Sequence, residues 1–388
     1  MTTSINCLPD QALLYVFTFI NHYDALDSIR MVCRRWNFLA DKAIGIMRRA
    51  FLRCDQFQWH AYNHFDSVTS RYYHSTCYHE SSRSMLVFGG CSISYTVFND
   101  LWKFDLSSRK WSRIIIKSSP LPSPKALATF VGYGDDVILY GGFSKLCPNP
   151  LRRISKYYDE LHLFKFDEQK WIELLAENDG PKLAGHSAVV VDDSMIVFGG
   201  VSGEFSSNRT YVFDIKKLRW WCPNFITSEY PQPRCNHSQA LLDHKHLLIF
   251  GGSVGPSEAS NSGCRNYALN DLWLLKFDLK RKDEWQWTKI KILNQEVSAW
   301  QIWLHAACNV GNNIVAFGSD YFSASNTRKT AGISSNSSEK LRHKSIEVLG
   351  DGKDLLQNCC KSGIVAGCSS EMEPRLEASN VPQVARTL

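Results

Sequence analysis

At 388 residues, with 44% hydrophobic and 12% aromatic content, the chain has the apolar complement of one large domain plus a small one, which excludes a wholly disordered protein. The formal charge of +6 is spread over small clusters such as Arg34-Arg35, Arg48-Arg49 and Arg152-Arg153, too diffuse for a nucleic-acid footprint. The first ~20 residues hold no Lys or Arg and include Asp10, and no apolar run is long enough to span a bilayer, so neither a secretory leader nor a membrane partner is expected. Thirteen Cys, an odd number without a repeated CxxC pair, read as reduced packing residues, and the expected location is cytoplasm and/or nucleus.

The N-terminal segment, residues 1–52, has helical periodicity. Leu13, Val16, Phe17 and Ile20 fall at i, i+3, i+4 and i+7, so a helix is expected from Pro9-Asp10, where proline suits a first turn. Leu26, Ile29, Cys33 and Trp36 give a second apolar face after Asp24, a residue suited to an N-cap. Two or three short helices cannot bury this many apolar side chains among themselves, and a helical partner is expected to cover the rest.

Residues 57–322 change period. Apolar runs ending in Phe88-Gly89-Gly90, Tyr140-Gly141-Gly142, Phe198-Gly199-Gly200 and Phe250-Gly251-Gly252 recur, with a weaker copy at Phe317-Gly318-Ser319. An apolar run carrying an aromatic residue and an Asp follows each full copy, and Trp111, Trp171, Trp220 and Trp287 close the units. His74, His186, His237 and His305 precede four of the copies, whereas the second has Ala126 to Phe130 there. A spacing of roughly 50 to 60 residues fits four short strands per unit, the length of a propeller blade and not of a helical solenoid. One such sheet cannot bury both faces, so the repeated Trp residues are expected between neighbouring blades. About five blades are expected. The segment Phe57-Gln58-Trp59 repeats the end of a unit and is expected to close the ring against the C-terminal copy. Residues 323–388, rich in Ser and Asn, are expected to be a mostly disordered tail, in which Ile346 to Leu349 could add a third strand to the fifth blade.

Two resemblances join these halves. Leu8-Pro9-Asp10, Leu13-Leu14, Val16-Phe17, Leu26, Val32-Cys33-Arg34-Arg35-Trp36 and Leu39 together resemble the F-box. That resemblance implies capture by a Skp-type adaptor and, through it, a cullin scaffold, with Leu8, Pro9, Leu13, Val16, Leu26, Val32 and Trp36 as the adaptor-binding residues. The glycine-pair units resemble the kelch repeat over residues 57 to about 319. The fold expected is multi-domain: a small all-α F-box followed by an all-β kelch propeller and the tail. This layout is similar to that of the animal family called "Just one F-box and Kelch domain" and of plant F-box/kelch receptors. It implies a substrate-recognition subunit of a Skp-cullin-F-box ubiquitin ligase. With helices ending near residue 50 and strand signals starting near 57, the linker is short, and the propeller is expected to sit in a nearly fixed orientation to the ligase arm.

The loops after the glycine pairs differ in length and character, as binding loops on a repeat scaffold do. Tyr95, Arg152, Arg153, Lys156, Tyr157, Phe205, Arg209, Arg265 and Tyr267 lie in them and are the candidates for binding a protein substrate, Arg and Tyr being frequent hot-spot residues. Enzymatic readings find less support. His74, Cys77 and His79, near His60 and His64, are the best candidate metal cluster, but His74 is a repeat position. No nucleophile triad or phosphate cradle stands out, and the glycine pairs end strands without opening a helix. No catalytic residue, metal or cofactor is therefore expected. A scaffold without ubiquitin transfer and, more remotely, a propeller oxidase remain alternatives.

Overall fold

The computed structural model describes residues 5–20, 23–53, 68–94, 96–116, 120–145, 155–203, 205–254, 267–291, 306–310, 313–317 and 344–345. Three helices come first: α1 (Asp10–Thr18), α2 (Tyr23–Arg30) and α3 (Arg34–Arg53). The expected first helix starts where its proline puts it, with the Pro9 carbonyl accepting the amides of Ala12 and Leu13 at 3.0 and 3.1 Å. The second expected face is divided between two helices. The chain tightens after Arg30, the amides of Met31 and Val32 reaching back three residues to Ser28 and Ile29, so Cys33 lies in the turn and Trp36 on α3.

The propeller then runs through four four-stranded antiparallel sheets. Blade 1 comprises Ser75–His79, Ser84–Phe88, Leu101–Asp105 and Lys110–Ile114; blade 2 comprises Thr129–Tyr133, Asp136–Tyr140, Leu161–Lys165 and Lys170–Glu173. Blade 3 comprises Ser187–Val191, Ser194–Phe198, Thr210–Asp214 and Arg219–Trp221; blade 4 comprises Ser238–Asp243, His246–Phe250, Leu272–Lys276 and Gln286–Ile290. A fifth sheet has three strands, Ala306–Val310, Asn313–Phe317 and Lys344–Ser345. Its third strand is placed just before the apolar run that sequence singled out. The first strands of successive sheets pack side by side from blade 1 to the fifth sheet, as radial blades require. Trp59 and most of the C-terminal segment lie outside the described residues, and so does the expected ring closure.

The core lies between blades. Second strands such as Ser194–Phe198 are apolar on both faces because each is covered by a blade on either side. Trp171 packs on Phe88 of blade 1, its ring centre 5.5 Å away, and on Phe164 of its own blade at 5.0 Å. Trp220 meets Tyr140 of blade 2 at 4.9 Å, and Trp287 meets Phe198 of blade 3 at 5.0 Å. Each outer-strand Trp thus covers the second strand of the preceding blade. Trp111 is half-buried against Phe104 of its own blade, and the closure expected to bring another blade against it lies outside the described residues.

The glycine pair has a steric cause. At Gly200, φ is +92°, and a Cβ there would sit 2.7 Å from the Cβ of His186. The pair lets the second strand end beneath the histidine that opens the same blade.

Candidate functional site

Two surfaces are built by this fold. In the helical module, Leu13, Phe17, Leu39, Ala40 and Ala43 form the core, with the Phe17 and Trp36 rings 5.3 Å apart. Leu26 is buried as well. Leu13 and Leu26 are therefore spent on the module's own packing, and Trp36 partly so. For these residues the expected adaptor-facing role is corrected, because a module this small needs its most interior leucines for itself. Leu8, Pro9, Val16 and Val32 are exposed. Around them lie apolar side chains that sequence reasoning did not choose: Met31 is 80% exposed, Tyr15 65%, Phe19 64% and Phe38 57%. Arg35 reaches back from α3, its Nε donating to Asp10 at 2.7 Å and Nη2 to the Leu8 carbonyl at 2.5 Å, so the start of α1 is tied to α3.

The second surface is the loop end of the propeller. In blades 2, 3 and 4 the described ends of the connections after the glycine pairs pair as β-ribbons. Phe143–Lys145 pairs with Ser155–Tyr157, Val201–Ser202 with Phe205–Ser206, and Ser253–Val254 with Tyr267–Ala268. Each ribbon is anchored to the segment that enters the blade, through the bridges Ala126 to Phe143, Ala184 to Val201 and Cys235 to Ser253. Lys156 is exposed with its Nζ over the Tyr158 ring at 4.8 Å. Tyr157 donates its hydroxyl to the Gly203 carbonyl at 2.9 Å, tying the blade 2 ribbon to that of blade 3, and burial raises its pKa. Phe205 and Arg209 are exposed on blade 3. Tyr267 pairs through its backbone with Val254, whereas Tyr95, Arg152, Arg153 and Arg265 lie outside the described residues.

Sequence reasoning missed the ion pairs at the base of these ribbons. Buried Arg71 grips Asp100 with two bonds, Nη1 to Oδ1 at 2.6 Å and Nη2 to Oδ2 at 3.0 Å. Arg234 grips Asp271 in the same way at 2.6 and 2.8 Å, and also donates to the Gly251 carbonyl at 3.0 Å. In blade 2 the pair is Lys125 and Glu160, 2.7 Å apart. Burial raises the Asp100, Glu160 and Asp271 carboxyls, but the adjoining cations and hydrogen-bond donors outweigh it and hold each below the ordinary carboxylate range. Trp102 and Trp273 add an indole bond to Asp100 and Asp271, each at 2.7 Å. The signal was present in Asp100-Leu101-Trp102 and Asp271-Leu272-Trp273, each matched to an arginine ahead of the blade.

Of the groups named as a metal cluster, His60 and His64 lie outside the described residues, and His79 is engaged elsewhere. His79 bonds Ser82 Oγ at 2.8 Å and the Asp135 carbonyl at 2.9 Å, latching blade 1 to blade 2. Burial pushes the Cys77 thiol up to about 11. Among the described residues no three His, Cys, Asp or Glu side chains gather as metal ligands, and no helix is long and apolar enough to cross a membrane.

Comparison with known families agrees with this division. Residues 5–53 match the family described as F-box-like, and residues 71–262 match the one described as FBX42, beta-propeller domain. The chain therefore carries an F-box-like domain followed by a propeller domain of the FBX42 type. It is 28% identical over 172 residues to the dynein alpha chain of the flagellar outer arm of Chlamydomonas reinhardtii, a match covering 44% of this chain and 3% of that protein. It is 27% identical over 184 residues to human host cell factor 1, covering 44% of this chain and 9% of that protein. Acyl-CoA-binding domain-containing protein 5 of Arabidopsis thaliana is 26% identical over 178 residues, 45% of this chain and 26% of that protein. The chain thus spans only a small part of the curated relatives it matches.

Proposed function

We propose that the chain is a non-catalytic substrate receptor of a Skp-cullin-F-box ubiquitin ligase, of the kelch type that the repeat resembles, acting in cytoplasm and/or nucleus. The F-box-like domain takes a Skp-type adaptor and, through it, the cullin scaffold, while the propeller ribbons hold a protein substrate. No cofactor, nucleic acid or membrane takes part in this reading. The observation that carries it is the helical module's apolar exterior. Its core is complete, yet Leu8, Val16, Met31, Val32 and Phe38 remain in water at or beside the positions by which the sequence resembles an F-box. Exposed apolar side chains at that density mark a surface made for a partner. On the other domain, ribbons that differ from blade to blade on a repeated frame suit substrate choice.

Co-expression of the full chain with a Skp-type adaptor and cullin tests the reading. Wild-type chain should co-purify with both, and Met31→Asp with Val32→Asp should abolish capture while the propeller's unfolding transition stays in place. Both residues are exposed, so a charge there costs the fold little and the interface much. Capture retained by the double variant would overturn the assignment of this surface. Wild-type chain that binds neither partner would favour a scaffold without ubiquitin transfer.

A further inference from the structure

Blade 3 breaks the rule that the other complete blades keep. Four backbone bonds define equivalent positions. The first glycine of each pair donates to the carbonyl of Asp100, Glu160, Arg209 or Asp271, at 3.2, 3.1, 3.1 and 3.2 Å. The residue entering each blade is also equivalent: the second glycine of the preceding pair donates to the carbonyl of Lys125, Leu183 or Arg234 at 3.0, 2.8 and 2.8 Å. Blades 1, 2 and 4 thus place a buried cation against an acid. Blade 3 has Leu183 for the cation and Arg209 for the acid. Leu183 is buried in the apolar interface of blades 2 and 3 and leaves no charge behind. Arg209 keeps the backbone geometry of the acids it replaces, but its charge is reversed and its side chain is exposed. Among the described residues no acid forms an ion pair with it.

The neighbourhood of Arg209 adds apolar surface. Phe205, 40% exposed, stands four residues before it on the same ribbon and its exit. The Tyr157 hydroxyl joins that ribbon to the one carrying Lys156, itself exposed. Nothing about folding calls for an arginine here. The three other blades use the position for an internal ion pair, and blade 3 is buried and complete without one.

We propose that Arg209 is a specificity-determining residue of the propeller that reads an aspartate or glutamate on the partner protein, with Phe205 beside it taking an apolar side chain of the same segment. This deepens the receptor reading and rests on it for the identity of the partner as a substrate. Charge complementarity argues for the occupant. The sites of Asp100 and Asp271 show that one guanidinium satisfies one carboxylate by two bonds, and Arg209 carries the same group at an exposed position. A dianionic phosphate would ordinarily gather several cations, so a carboxylate is the better match.

The test uses the full chain and an array of random-sequence twelve-residue peptides spanning net negative to net positive charge. Wild-type chain should enrich peptides carrying Asp or Glu next to an apolar residue, with binding that weakens as salt rises. Arg209→Asp restores the acid of the other blades and should keep the unfolding transition while losing this enrichment, with an affinity drop of at least about tenfold for the best peptides. Arg209→Lys should retain part of it, since the charge remains and the fork is lost. Enrichment that survives Arg209→Asp, or an array with no preference for acid, overturns the proposal. A marked preference for phosphoserine over glutamate at the same peptide position overturns the carboxylate assignment. Adaptor capture by the same preparations separates the two readings. Capture without acid preference sinks this inference alone, whereas acid preference lost in Arg209→Asp without any adaptor capture sinks the receptor reading and leaves the binding site standing.

Discussion

Replacing Asp271 by Ala isolates the role of the ion pairs beneath the ribbons. The carboxylate is 17% exposed and faces an Arg234 side chain with no exposure at all, bonded twice to it at 2.6 and 2.8 Å. Removing it leaves a guanidinium buried with only the Gly251 and Gln232 carbonyls at 3.0 and 3.1 Å. An uncompensated buried charge of this kind costs about 3–5 kcal/mol. In a domain of this size that is a fall of roughly 6–20 °C in melting temperature. Blade 3 supplies the control, since it holds Leu183 and Arg209 at the same positions. Arg234→Leu with Asp271→Arg, copying blade 3, should recover most of the loss, because no charge is then left buried. Acid gives a second readout with a definite sign. The Asp271 carboxyl is held below its ordinary value in the fold. Its contribution is therefore complete above about pH 3.9 and is lost as pH falls further, through the folded value. Denaturant titration of wild type, the single variant and the double variant measures the cycle. A single variant that costs less than about 1 kcal/mol, or a double variant no more stable than the single, would refute the clamp argument.

Other outcomes follow from the same geometry. Trp171→Ala removes a side chain held between blades 1 and 2 by Phe88 and Phe164, and should cost about 3–5 kcal/mol in a denaturant titration, with Trp111→Ala, half-buried against one ring, costing clearly less. Burial pushes His186 down to about 3 and His162 to about 4. Both are neutral in the fold and protonate near pH 6.5 once unfolded, so stability is full above about 6.5 and declines below it, by about 3 kcal/mol at about pH 5.5 for the two together. His186→Gln should flatten the pH dependence of the unfolding midpoint, and a wild-type midpoint that does not move between neutral pH and that point would contradict the assignment. Leu13→Ala should destabilise the helical module by about 2–5 kcal/mol, seen as loss of helical circular dichroism, whereas Val16→Ala, exposed on the same helix, should leave the helix signal intact.

The blade pattern was legible because it repeats: Phe88, Tyr140, Phe198 and Phe250 end apolar runs before glycine pairs, and each became the last residue of a second strand. Trp171, Trp220 and Trp287 lie between blades as their recurrence implied, since nothing else in a four-stranded sheet covers its second face. The helical module was less legible. Period alone put Leu13, Val16 and Phe17 on one face, but burial divides them, with Leu13 and Phe17 inside and Val16 outside. An apolar residue facing its own core and one facing a partner look alike in a sequence. The ion pairs went unread for a different reason. Arg71 and Asp100 are 29 residues apart, and Arg234 and Asp271 are 37 apart, with the ribbon between them. Only the alignment of the repeats on their backbone bonds puts cation and acid opposite each other, and that alignment also shows Arg209 as the exception.

The placement of these clamps would couple stability to the proposed recognition unequally from blade to blade. In blades 2 and 4 the ribbon that would touch a substrate leaves the second strand at the glycine pair and returns at the clamped acid, so the ion pair fixes the base of the ribbon. Weakening Asp271 should therefore loosen Ser253–Val254 and Tyr267–Ala268 along with the blade. Blade 3 relies on apolar burial of Leu183 and on the Gly199 to Arg209 backbone bond to fix the same base. Its side chain at that position is exposed and makes no ion pair among the described residues, so substitutions at Arg209 should cost the fold less than substitutions at Asp271.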